Sequence, residues 1–125
     1  MKKRIIGIDF GTSTTVVRVK RYEEDGTPVG DRLFVSNVLF DGRDSVPTLM
    51  QIPEDIVIQE DLVLNEADCE FGYYAAAEQP GMKSCRNFKV ELESPDQEIR
   101  RRARWLTRQF MAYLYRGYSQ QTNQL

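Results

Sequence analysis

Asp9 is followed closely by Gly11 and by consecutive hydroxyl side chains, Thr12, Ser13, Thr14 and Thr15. A carboxylate, a glycine and a row of hydroxyls can together handle phosphate and a divalent cation. Gly11 lets the backbone turn sharply and puts no Cβ in a ligand's way. Successive main-chain N–H groups in such a turn form a concavity for an anion. The hydroxyls of Thr12, Ser13, Thr14 and Thr15 can donate to phosphate oxygens. A bare carboxylate repels phosphate, so Asp9 makes sense beside Mg²⁺, which keeps several waters and takes few protein carboxylates. The alternative is a buried hairpin with a Thr-rich turn, in which Asp9 caps the turn. Such a hairpin favours Asn-Gly or Asp-Gly at the turn, so phosphate binding is the preferred reading.

These residues need strands on both sides of the turn. Ile5, Ile6, Ile8 and Phe10 form a near-continuous apolar run, which predicts a strand over Lys3–Phe10 covered on both faces. A second strand is predicted over Thr15–Arg21. Asp25-Gly26 is a hairpin turn signal leading to a third strand near Leu33–Val35. Asp41-Gly42 is another, before a strand over Val46–Ile52, with Pro47 near its start or on a sheet edge. Strands in this sequence would form an antiparallel meander.

Beyond them, Glu54–Glu70 is acidic and reads as short strands or extended loops. Tyr73–Gln79 reads as a short helix stopped by Pro80-Gly81, and Asn87–Leu92 as a short strand or extended segment. The clearest helix begins at Ser94, with Ser94 at the N-cap, Pro95 at the first helical position and Gln97 completing a capping box. Asp96 and Glu98 suit the positive end of its dipole. Ile99, Ala103, Leu106, Phe110 and Leu114 define one apolar face, and Gly117 is the expected stop. Residues 118–125 are expected to fray. Trp105, Phe110, Tyr113 and Tyr115 crowd more than one side of the helix, which predicts an exposed apolar patch there.

Gly7-Ile8-Asp9-Phe10-Gly11-Thr12-Ser13-Thr14-Thr15 resembles the first phosphate motif of the actin-like ATPase superfamily. That group covers heat shock protein 70 (DnaK-like) chaperones, actin-like filament proteins and sugar kinases. The match is best to the chaperone pattern Gly-Ile-Asp-Leu-Gly-Thr-Thr-Asn-Ser, with Phe10 for Leu, Thr14 for Asn and Thr15 for Ser. Val46-Pro47-Thr48-Leu49 looks like the family's Thr-Pro-Ser strand start. Phe71-Gly72-Tyr73-Tyr74-Ala75-Ala76 is similar to its Gly-x-x-Ala helix start. Trp105 through Gly117 looks like its long helix ending in Tyr-x-Gly.

The resemblance implies an α/β (α+β) fold: a ribonuclease-H-like, actin-like lobe I fragment, with a mixed antiparallel sheet and a long helix from about 95 to 117. It implies ATP or ADP with Mg²⁺ as ligands. Asp9 would contact Mg²⁺ through water, and Gly11, Thr12, Ser13 and Thr14 would hold phosphates. Asn87-Phe88-Lys89 falls near the family's active-site lysine, which makes Lys89 the candidate to reach the γ-phosphate, with Lys83 as its competitor. In the family the chain runs on into a Val-Ile-Thr-Val-Pro-Ala strand, a second phosphate motif and an adenosine-binding segment. On this resemblance, residues 1–125 are a single incomplete domain, the N-terminal third of an ATPase domain. No efficient turnover is expected from these residues alone, and the remainder of the domain or a completing protein is the expected partner, with self-association as a consequence.

Composition narrows the field further. With 41% hydrophobic and 29% charged residues, the chain reads as an ordinary soluble globular one. Histidine is absent, which removes Ser-His triads, histidine bases and His-rich zinc sites. Phosphoryl transfer survives, because positioning and electrostatics carry it. Cys69 and Cys85 lack metal-ligand spacing and read as reduced thiols in a cytoplasmic protein. No targeting segment or membrane-length apolar stretch is read.

Charge is uneven. Asp41–Glu78 carries ten acids and one base, whereas Gln79 onward carries nine bases and four acids. The helix bearing Arg100, Arg101, Arg102, Arg104, Arg108 and Arg116 is expected to be solvated or to meet the acidic middle segment, not to bind nucleic acid. Glu98 and Arg102 are spaced for a helical ion pair. The leading expectation is the phosphate-binding part of a heat shock protein 70-like ATPase. The alternatives are an actin-like or sugar-kinase relative, and a non-catalytic protein-interaction module that keeps the fold.

Overall fold

The computed structural model describes residues 3–30 and 35–121. Two antiparallel sheets and a long C-terminal helix give a mixed α+β fold. In the first sheet β1 (Lys3–Phe10) pairs with β2 (Thr14–Tyr22) along its whole length, from Lys3 opposite Tyr22 to Phe10 opposite Thr15. β3 (Ser36–Asn37) and β4 (Val46–Pro47) both lie on the other edge of β2, at Arg18–Val19 and Thr14–Thr15 respectively. The arrangement is therefore not the predicted simple meander. Of the third strand predicted near 33–35, residues 33 and 34 lie outside the described residues, and Val35 precedes β3.

The strand predicted over Val46–Ile52 is two strands in two sheets. After β4 the chain crosses at Thr48 and Leu49 and enters β5 (Met50–Pro53). In the second sheet β5 lies between β6 (Glu70–Phe71) and β7 (Met82–Cys85). Asp41-Gly42 does form a tight turn. Both residues take positive φ, 53° and 72°, and Phe40 and Arg43 exchange main-chain bonds across it.

The segment predicted as extended over Asn87–Leu92 is instead helical at α1 (Phe88–Glu91). Asn87 adopts a left-handed φ of 60°, which asparagine tolerates, and this reverses the chain. Phe88 then enters the core against Phe10 and Phe110. Likewise, the helix predicted over Tyr73–Gln79 is a single 3₁₀ turn at Gly72–Ala75.

α2 (Gln97–Gln121) is the long helix, shifted at both ends from expectation. Its N-terminal cap is Asp96, whose Oδ1 accepts from the Glu98 amide at 2.9 Å, while Ser94 Oγ accepts from the Asp96 amide. Gly117 does not stop the helix. It is where α2 meets Phe40 closely, since a Cβ there would stand 2.5 Å from that ring. Residues 118–121, expected to fray, are helical, and the Gln121 carboxamide bonds the main chain of Leu39 in both directions.

The core joins both sheets to α2 through Val17, Val19, Val38, Val46, Met50, Ile52, Ala103, Leu106, Phe110 and Leu114. Full burial of the valine, methionine, isoleucine, leucine and phenylalanine side chains among these is worth about 1.5–3 kcal/mol each. Ile99, predicted on the same apolar face, stays exposed. The acidic segment crosses α2 on another side. Trp105 is buried there and its Nε1 donates to the Leu62 carbonyl at 2.9 Å. Arg101 pairs with Glu60 and Arg116 with Glu66, so the basic helix does meet the acidic segment. Arg102 pairs with Glu91, not through the predicted Glu98 spacing.

Tyr113 stacks on Phe71 at 4.8 Å, so most of the aromatic crowding on α2 is covered, with Tyr115 exposed. The exposed apolar surface lies instead on β1. Ile5, Ile6 and Ile8 are 58%, 39% and 46% exposed, which overturns the expectation of a strand covered on both faces. Val17 and Val19 of β2 join the core cluster, whereas of β1 only Phe10 packs against it. Among the described residues, no helix is long and apolar enough to cross a membrane.

Candidate functional site: the turn between β1 and β2

The turn is closed by its own main chain. The Gly11 amide donates to the Thr14 carbonyl at 3.1 Å. A Cβ on Gly11 would stand 2.2 Å from that carbonyl oxygen, so the turn itself requires glycine. The space expected to admit a ligand at Gly11 is thus taken by Thr14. Among the described residues, the amides of Thr12 and Ser13 have no protein acceptor. Two adjacent N–H groups at an exposed turn fit an anion.

The hydroxyl row divides into two roles. Thr12, Ser13 and Thr14 are exposed and free to face a ligand. Thr15 is buried, and its Oγ1 lies 2.7 Å from Thr48 Oγ1. The Thr48 hydroxyl donates to the Gly11 carbonyl at 2.9 Å, so the proton between the two threonines comes from Thr15. The Thr48 amide also donates to the Ser13 carbonyl at 2.9 Å. Thr48 therefore fixes both ends of the turn from the crossing between β4 and β5. Sequence reasoning assigned Thr48 no such role, and no spacing signal links residues so far apart in the chain.

Asp9 is the last residue but one of β1 and stands opposite Val16. Cross-strand partners share a face. Ile6, Ile8 and Phe10 stand opposite Val19, Val17 and Thr15, which are buried. Asp9, with Ile5 and Gly7, therefore points to the other face. Lys89 reaches the same strand end from α1, with its Nζ 5.8 Å from the centroid of the Phe10 ring. Asp9 and Lys89 thus flank the strand end from opposite faces, with Phe10 between them. Lys83 is committed elsewhere: on β7 it donates to the Ile56 carbonyl at 3.0 Å.

No group of three or more His, Cys, Asp and Glu able to hold a metal ion occurs among the described residues. A lone carboxylate suits a cation held mainly by water and phosphate, not one caged by protein. The two cysteines are free thiols, and burial pushes the pKa of each upward, against a nucleophilic role. A groove of about 650 Å³ lies away from the turn, lined by Ile58, Glu60, Lys83, Ile99, Arg101 and Arg102. Its charges are mixed in sign, and it contains none of the motif residues. No protein-family model, curated protein or solved structure matches this chain.

Proposed function

We propose that this chain is the phosphate-binding part of a ribonuclease-H-like, actin-like ATPase lobe of the heat shock protein 70 kind, taking ATP or ADP with Mg²⁺. The observation that carries the reading is the pair of unpartnered amides at Thr12 and Ser13, in a turn clamped by Thr48. Lys89 beside Phe10 adds a positive charge at the same strand end. In this reading the turn amides hold phosphate oxygens, with the hydroxyls of Thr12, Ser13 and Thr14 around them. Asp9 orients the waters of the cation, and Lys89 offsets negative charge on the terminal phosphate. Mg²⁺ supplies charge neutralisation of the polyphosphate. The remainder of an ATPase domain, or a completing protein, supplies the rest of the site, and these residues alone give no efficient turnover.

Calorimetric titration of the chain with ATP and with ADP, with and without Mg²⁺, tests this. Binding heat is expected with Mg²⁺ and is lost in Asp9→Ala. Lys89→Ala weakens binding by about tenfold or more, as removal of a charged hydrogen-bond partner does. Silence from the wild-type chain under all conditions refutes the proposal. The exposed isoleucines of β1 favour a second reading, a protein-interaction module that keeps the fold without nucleotide.

A further inference from the structure

Among the described residues, β1 pairs with β2 alone, so its outer edge is open. Antiparallel partners alternate between pairs that exchange their main-chain bonds and pairs that turn them outward. Val17 and Arg21 of β2 give their carbonyls to Val38 and Val29, on the side away from β1. Their partners Ile8 and Arg4 therefore turn N–H and C=O to the outer edge of β1, and Ile6 and Phe10 do so by alternation. An open edge is a template for another strand, and protective edges carry a proline, a bulge or a charge. Ile5-Ile6-Gly7-Ile8 carries none of these, and the β1–β2 register runs through it without a bulge.

We propose that β1 pairs antiparallel with β1 of a second copy about a two-fold axis at Ile6, joining two sheets into one. Outward groups occur only at even-numbered positions, so bonded pairs must match even with even. The register centred on Ile6 bonds Arg4 to Ile8 and Ile6 to Ile6. It sets Lys3 opposite Asp9, so that unlike charges meet at both ends of the contact. It also sets Ile5 opposite Gly7, where nothing lies within 4 Å of the missing Cβ and an isoleucine side chain finds room. Sliding by two residues one way sets Ile5 against Asp9. Sliding the other way leaves Asp9 unpaired and shortens the contact. The two-fold repeats each contact, so one favourable pair counts twice.

Because Asp9 is also the proposed cation residue, the test uses magnesium-free, nucleotide-free protein and does not depend on nucleotide binding. In sedimentation equilibrium the mass rises with concentration from 14.5 kDa towards twice that value. Hydrogen exchange at Arg4, Ile6 and Ile8 slows with concentration, while Ile5 and Gly7, already bonded to β2, do not change. Lys3→Glu weakens the dimer by about tenfold, because two pairs change sign. Adding Asp9→Lys to it restores the dimer. Ile6→Pro removes the central outward donor without cutting a bond to β2 and leaves a monomer. If Ile6→Pro loses its helical circular dichroism, Ile6→Lys carries the same expectation. A wild-type chain monomeric at every concentration overturns the proposal. So does a dimer indifferent to Lys3→Glu, or a double variant that does not recover.

Discussion

Replacing Thr48 by valine keeps the shape of the side chain and removes only its hydroxyl. In the wild-type protein that hydroxyl donates to the Gly11 carbonyl at 2.9 Å and accepts from the Thr15 hydroxyl at 2.7 Å. The Thr48 amide keeps its bond to Ser13 in the variant, so the chain path should survive. Two lost hydrogen bonds cost about 1 kcal/mol each, and an orphaned buried hydroxyl adds about 1 kcal/mol or more. Thr15 is that orphan, with a relative exposure of 0%. Thr48→Val should therefore destabilise by about 3 kcal/mol, which at this chain length lowers Tm by about 10 °C. Thr15→Val alone removes one bond and leaves no orphan, and should cost about 1 kcal/mol. The double variant should then be less destabilised than the sum of the singles, by about 2 kcal/mol, because that sum counts the shared Thr15–Thr48 bond twice and includes a stranded hydroxyl the double variant lacks. Urea unfolding of the four proteins gives this cycle directly. A Thr48→Val loss below about 0.5 kcal/mol, or strict additivity, refutes the clamp.

Two further outcomes are expected. Asp96→Ala should destabilise α2 by about 1 kcal/mol in urea unfolding, and Ser94→Ala by less, because Asp96 and not Ser94 bonds the first helical amides. Burial pushes the Tyr113 hydroxyl up to about 12, from 10.0 in the unfolded chain. The stability tied to that group is present below pH 10 and is lost as pH rises from about 10 to about 12, because the unfolded state sheds the proton first. Melts across that window should fall less steeply in Tyr113→Phe.

Local signals in the chain proved readable and non-local ones did not. The span of β1 was legible from its apolar run, and the turn at Asp41-Gly42 from residues that accept positive φ. Helix α2 was legible from its apolar spacing, although its cap was misplaced by two residues because Ser94 and Asp96 are both good caps. What covers an apolar run was not legible: Ile5, Ile6 and Ile8 read alike in a buried centre and on an open edge. A change of sheet within Val46–Ile52 leaves no mark in residue types. Gly117 reads as a stop until Phe40, distant in the chain, is seen against it. At the candidate site, the motif residues were visible as a contiguous string. Thr48 was not, because its part is played across a long gap by a single hydroxyl, and the separation of Asp9 from Lys89 by a strand's two faces depends on the register alone.

Trp105 is the only tryptophan in the chain, and its indole hydrogen bond ends on Leu62. The protein therefore carries its own optical reporter for one contact, the lay of the acidic segment upon α2. Intrinsic emission should shift to the red whenever that segment lifts away, even while the far-ultraviolet signal of the helix holds steady.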